Sequence, residues 1–281
     1  MAKVEKITER KPMKQLLTFF GLAYLISWII WLPLYGHIFG LANLPVLPYH
    51  HGIGGLGPMI AAFLTTGLFL KKEGLRVLLK KCIQIKPLVY LAVALFSPFI
   101  LGFFAGLISS FVENRPMDLT GFLRAKEFPE FNLGTFFIYN LIFFGFGEEV
   151  GWRGFALPRL QHKFNALSSS MILTLFWALW HLPLFFYRPG YTSMDFAGIA
   201  GWIFSLLTGS ILLTWLYNSS RGSILICAVF HSTIDIAFTA DLAGKDVVNY
   251  MGFLITVWGI LTIAIFKPKS LTNRSLERIY P

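Results

Sequence analysis

Eight apolar stretches, each close to the length that crosses a bilayer, constrain this chain more than any other feature of its sequence. A helix crosses a hydrocarbon core about 30 Å thick with roughly 20 mostly apolar residues, because each residue rises about 1.5 Å. The stretches are Leu16 to Tyr35, Gly52 to Leu70, Leu88 to Val112, Gly134 to Leu157, Ser168 to Phe186, Phe196 to Tyr217, Ser223 to Ala240 and Val248 to Phe266. They predict an all-α polytopic membrane protein of about eight transmembrane helices, a single integral membrane domain over residues 1–281. Composition agrees: 14% of residues are charged, where a soluble domain carries roughly 25%. Something other than water must face much of the chain. Two cysteines, Cys82 and Cys227, exclude a disulfide framework and a four-thiolate zinc site.

The formal charge of +10 suggests a nucleic-acid partner until its distribution is read. Nucleic-acid binders gather Lys and Arg on one folded face, whereas here they lie between apolar stretches. No nucleic-acid partner is expected; the lipid bilayer is. Lys and Arg resist translocation and collect in cytoplasmic loops. With an even number of spans, both ends and the even-numbered loops share one side, and that side holds 19 of the 24 basic residues. They are Lys3, Lys6, Arg10, Lys11 and Lys14, then Lys71, Lys72, Arg76, Lys80, Lys81 and Lys86. Arg153, Arg159 and Lys163 follow, with Arg221 and the tail residues Lys267, Lys269, Arg274 and Arg278. The other side holds Arg115, Arg124, Lys126, Arg188 and Lys245. This split predicts a multi-pass protein of the cell membrane with both termini cytoplasmic. The first apolar run is too long for a signal-peptide core and reads as an uncleaved span. Residues 73–86 alternate basic and apolar positions at helical spacing, which suits either a short helix on the anionic leaflet or a charged loop.

A charged side chain at the bilayer centre costs at least about 2.5–3.5 kcal/mol, so each one inside a span needs a reason. The fourth span carries Glu148 and Glu149, the fifth His181, and the seventh His231 and Asp235, each roughly halfway along. Three helices thus bring titratable groups to similar depth, where burial is tolerable if the groups meet one another or a water-filled cavity. Glu149 and Arg153 are four apart and share a helix face, so they can pair, while Glu148 is turned about 100° away. His231 and Asp235 are also four apart, and Trp177 sits one turn before His181 and can wall its ring. The other histidines, His37, His50, His51 and His162, fall in loops and carry no functional expectation. The remaining Trp and Phe residues read mostly as lipid-facing or interfacial anchors.

Two carboxylates and two imidazoles with no marked Ser or Cys nucleophile point to hydrolysis by activated water. There is no His-Glu-x-x-His helix, no Gly-x-Ser-x-Gly elbow and no glycine-rich phosphate loop.

The ordered set Glu148-Glu149-x-x-x-Arg153, Trp177 with His181, and His231-x-x-x-Asp235 resembles the CPBP (Abi) family, which includes the type II CAAX prenyl endopeptidases and bacterial immunity proteins. The surrounding runs Glu-Glu-Val-Gly-Trp-Arg-Gly-Phe-Ala-Leu-Pro-Arg-Leu-Gln and Trp-Ala-Leu-Trp-His-Leu-Pro strengthen the resemblance, and the motif-bearing core covers about residues 134–240. The resemblance implies an intramembrane endopeptidase acting on a membrane-associated peptide or protein. Glu148 would be the general base on a water, assisted by His181; His231 and Asp235 would stabilise the oxyanion; Glu149, Arg153 and Trp177 would support the site. Trp177 stands where the family more usually has Phe. Asp235 stands where the prenyl endopeptidases have Asn, so it must be protonated, or orient His231 as the donor, to serve an oxyanion. No cofactor is expected; the alternative is zinc held by Glu148, His181 and His231. The rival functions are a non-proteolytic scaffold or immunity protein and a proton-coupled transporter.

Overall fold

In the computed structural model, residues 12–41, 44–125, 128–240 and 246–273 are described. The basic residues Lys3, Lys6, Arg10, Lys11, Lys126, Lys245, Arg274 and Arg278 lie outside them. Most of the described residues are helical, and none of them forms a β-strand; an isolated antiparallel bridge joins Ala125 to Ala240.

The helices are α1 (Pro12–Tyr35), α2 (His50–Gly55), α3 (Gly57–Cys82), α4 (Leu88–Val112), α5 (Leu133–Asn140), α6 (Gly147–Gly151), α7 (Leu157–Gln161), α8 (Ala166–Trp180), α9 (Phe196–Ser219), α10 (Ile224–Thr239) and α11 (Val247–Ser270). Six helical segments are long and apolar enough to cross a membrane. The predicted seventh span is α10, a shorter apolar helix of 16 residues. The predicted fourth is α5, α6 and α7 run end to end through two π-helical turns, Leu141–Phe146 and Trp152–Ala156. Side chains fix several starts: Asn132, Asn165, Asp195 and Ser223 each accept a hydrogen bond from the first turn of α5, α8, α9 and α10. The exterior is apolar, with Leu17, Leu68, Phe96, Phe111 and Ile260 exposed. The chain is an all-α polytopic membrane protein.

Small residues bring the interrupted helix into the centre of the bundle. A Cβ on Gly151 would stand 2.7 Å from the Pro58 carbonyl of α3, and one on Gly145 would stand 2.6 Å from the Ala228 carbonyl of α10. Backbones approach this closely only without a side chain between them, the usual device for helix contacts in lipid. Glu148 and Glu149, on α6 between these contacts, are therefore enclosed by helices on both sides.

Of the two readings of residues 73–86, the helical one holds as far as Cys82, as the end of α3 beyond a backbone break at Lys71 (φ 56°), with Gly74 packed on Leu70 and Thr66. Arg153 and Arg159, at the end of the predicted fourth span, are buried: Arg153 pairs with Glu149 as the spacing predicts, and Arg159 donates to Gln15 Oε1 at 2.9 Å.

The two ends of the bundle differ. At the Lys- and Arg-rich end, residues 210–219 of α9 are buried on every side. Polar contacts close that end: Asn218 Nδ2 donates to Gln161 Oε1 at 3.2 Å and to the Ser270 carbonyl at 2.8 Å, and Lys81 Nζ donates to Tyr217 Oη at 3.0 Å. At the other end, the first turns of α9 stand away from the bundle, with Phe196 and Phe204 exposed.

Candidate active site

Beside the open end lies a cavity of about 1150 Å³. Glu148, His181, His231 and Asp235 all line it, with Trp177 among them. The structure thus brings the four predicted catalytic positions to one space. Its remaining wall is largely aromatic and apolar, including Trp31, Trp180 and Trp202, with Gly201 and Gly209 of α9 leaving it wide.

Glu148 is buried, and its Oε2 accepts from two indoles, Trp177 Nε1 at 2.6 Å and Trp152 Nε1 at 3.1 Å. Charge-assisted donors on one oxygen fix the carboxylate rotamer and satisfy that oxygen. The other oxygen, Oε1, lies 4.0 Å from His231 Nε2. Glu149, fully buried, turns the opposite way: its Oε1 accepts from Arg153 Nη1 at 2.9 Å and from His231 Nδ1 at 2.7 Å. Arg153 also donates to Ser210 Oγ at 3.2 Å, and its guanidinium lies 4.6 Å from the Trp177 ring centre. The i, i+4 pair read from the sequence is present, but it is one half of a junction that also holds an imidazole on α10.

The two histidines have defined tautomers by their partners. His181 Nδ1 lies 2.8 Å from the Trp177 carbonyl, which can only accept, so Nδ1 carries the hydrogen and Nε2 is left for the cavity. His231 Nδ1 likewise donates to Glu149, and its Nε2 faces Glu148 and Asp235, the latter at 3.7 Å. Asp235 is the most open of the four, its side chain 34% exposed. Among the described residues, no group of three His, Cys, Asp or Glu side chains is placed to hold a metal ion.

His181 is not mid-helix. Helix α8 ends at Trp180, and His181 begins the turn into the 3₁₀ segment Leu182–Phe186, because Pro183 disfavours continued α-helix at the residue before it. Contacts from α1 hold this turn: Trp28 Nε1 donates to the Trp180 carbonyl at 3.0 Å, and Trp180 Nε1 to Ser27 Oγ at 2.8 Å.

The tryptophans contradict their reading as anchors. None of the eight is exposed, and Trp31, Trp152, Trp177 and Trp180 are buried around the site. Their indole N–H groups need acceptors inside the bundle, and they find them on the site residues and their supports. His50 and His51 are also not loop residues: both lie on α2, and His51 lines the cavity with Nδ1 2.8 Å from Tyr187 Oη. The spacing of Trp152 four residues after Glu148 was the available signal for the indole donor; nothing in the sequence marks His51.

Fold and site together define an all-α polytopic membrane protein whose carboxylates and imidazoles converge on one cavity. Residues 130–237 match the family model described as type II CAAX prenyl endopeptidase Rce1-like. Over 94 residues the chain is 34% identical to CAAX prenyl protease 2 of Methanococcus maripaludis, a match covering 32% of this chain and 34% of that protein. The chain thus spans about a third of the length of this curated relative. Its motif-bearing segment is thus similar to the CAAX prenyl proteases.

Proposed function

We propose that the chain is an intramembrane endopeptidase that hydrolyses peptide bonds with a water activated by Glu148. The observation that carries this reading is the division of labour on Glu148: two indole donors hold Oε2, and Oε1 faces the cavity side occupied by His231. A carboxylate fixed this way is oriented for one water and does not have to reorganise during reaction.

In this reading a water sits between Glu148 Oε1 and His181 Nε2. Glu148 takes one proton as the water oxygen bonds to the scissile carbonyl carbon. The carbonyl π electrons move to its oxygen, and His231, protonated on both nitrogens with Nδ1–H held by Glu149, stabilises the resulting oxyanion through Nε2–H. The intermediate collapses by breaking the C–N bond, and Glu148 returns the proton to the leaving amine. One peptide and one water become an acid and an amine. Asp235 orients His231 or, protonated, donates beside it. Glu149 and Arg153 position His231 without touching substrate.

We favour a mechanism without metal because it leaves Glu148 and His181 on the water and His231 on the oxyanion; the alternative is zinc held by Glu148, His181 and His231. The family match and the related prenyl protease support a membrane-associated peptide or protein as substrate.

The test is expression of the wild type and of Glu148→Gln in the same membranes, followed by comparison of newly formed peptide termini. Termini that appear with the wild type and vanish with the variant are expected, and they should persist after treatment with a zinc chelator. An identical set of termini in both membranes removes Glu148 from the chemistry.

A further inference from the structure

We infer that the cavity opens to the extracytoplasmic side of the membrane, so that the peptide cleaved is one presented from outside the cytoplasm. The inference deepens the peptidase reading by giving it a direction of substrate entry.

Three independent observations carry it. The first is where the cavity lies along each helix. Its lining comes from the end of α1 (Trp31), the end of α8 (Trp180 and His181), the start of α9 (Ala197) and the start of α11 (Val248), with the second half of α10 between them. Because successive long helices run in opposite directions, all of these lie at one end of the bundle.

The second is that the opposite end is sealed. Residues 210–219 of α9 are buried, and the bonds of Asn218 to α7 and α11 and of Lys81 to Tyr217 tie the helix ends together. A peptide has no entry there without breaking this packing.

The third is charge. Among the described residues, with the buried Arg153 and Arg159 set aside, the sealed end carries 11 Lys and Arg residues against three at the open end, Arg115, Arg124 and Arg188. The open end also holds five described carboxylates: Glu113, Asp118, Glu130, Asp195 and Asp246. The bias in short flanking segments orients a polytopic protein, with the basic side retained in the cytoplasm. Both termini are then cytoplasmic, and the cavity mouth at residues 188–195 is outside.

The substrate class follows from this direction. A tail anchored on the cytoplasmic leaflet meets the sealed end. A secreted or membrane-inserted polypeptide, with apolar residues to fill the aromatic cavity, meets the open one.

The experiment is thiol labelling of the full chain in living cells, on a Cys82→Ser, Cys227→Ala background. Ser193 is exposed in the loop at the cavity mouth, and Glu73 is exposed at the sealed end. A membrane-impermeant maleimide should label Ser193→Cys in intact cells and Glu73→Cys only after permeabilisation, with labelling after denaturation confirming both thiols. Labelling of Glu73→Cys in intact cells, or failure of Ser193→Cys to label until permeabilisation, overturns the inference. Neither variant touches Glu148, so the result stands whether or not the peptidase reading holds.

Discussion

His231 on α10 donates through Nδ1 to Glu149 Oε1 of α6 at 2.7 Å, the same oxygen that accepts from Arg153. This single oxygen links the imidazole of one helix to the ion pair of another. Adjacent glutamates therefore have separate duties: Glu149 holds helices and a ring in place, and Glu148 is turned to the cavity.

The first prediction separates these duties. Glu149→Gln leaves Arg153 buried with no opposing charge, and removing one partner of a buried pair costs about 3–5 kcal/mol. Glu149→Gln should lower the melting temperature in detergent sharply, whereas Glu148→Gln should abolish turnover and leave melting nearly unchanged. Equal melting temperatures for the two variants would contradict the assignment.

The second concerns the indole clamp. Trp152→Phe keeps the ring and removes one donor from Glu148 Oε2. A hydrogen bond to a charged group contributes about 1.5–3 kcal/mol, so kcat should fall roughly ten- to a hundredfold with KM little changed. Adding Trp177→Phe should lower kcat further. A fall confined to KM would show that the indoles serve binding only.

The tryptophans also show what the sequence made legible. The lengths of α4 and α9 and the Glu149–Arg153 pair follow from local rules, a hydropathy window and an i, i+4 spacing, and both survive folding. The clamp on Glu148 does not follow from such rules. Trp177 reaches it from 29 positions away, across two helices. In a chain that is 17% aromatic, a tryptophan that donates to a carboxylate reads like any other. A hydropathy window puts His181 mid-helix because it runs through Pro183, which disfavours continued α-helix but is itself apolar. His51 carries no such signal, since it lies just before the apolar run that begins at Gly52.

The third prediction uses two glycines of opposite surroundings. A Cβ at Gly201, which lines the cavity, meets nothing within 4 Å, while one at Gly151 would crowd Pro58 at 2.7 Å. Gly201→Leu should keep the fold and raise KM by filling the cavity. Gly151→Ala should cost about 1–3 kcal/mol by overpacking α3. Thermal melting and Michaelis analysis together check both, and a destabilised Gly201→Leu would count against the open wall.

The fourth concerns Asp235, 3.7 Å from His231 Nε2. An amide donates to an oxyanion without an added proton, so Asp235→Asn should retain turnover. Asp235→Ala should lose kcat. Inactive Asp235→Asn would mean that the carboxylate itself takes part.

The central claim, hydrolysis by water activated at Glu148, is tested most directly by isotope incorporation. Purified protein in liposomes is incubated with a solubilised membrane-protein fraction in ¹⁸O-labelled water, and new C-termini are read by mass spectrometry. The wild type should place ¹⁸O in every new C-terminal carboxylate, and Glu148→Gln should produce no such termini. Labelled termini formed at the wild-type rate by Glu148→Gln would contradict the account.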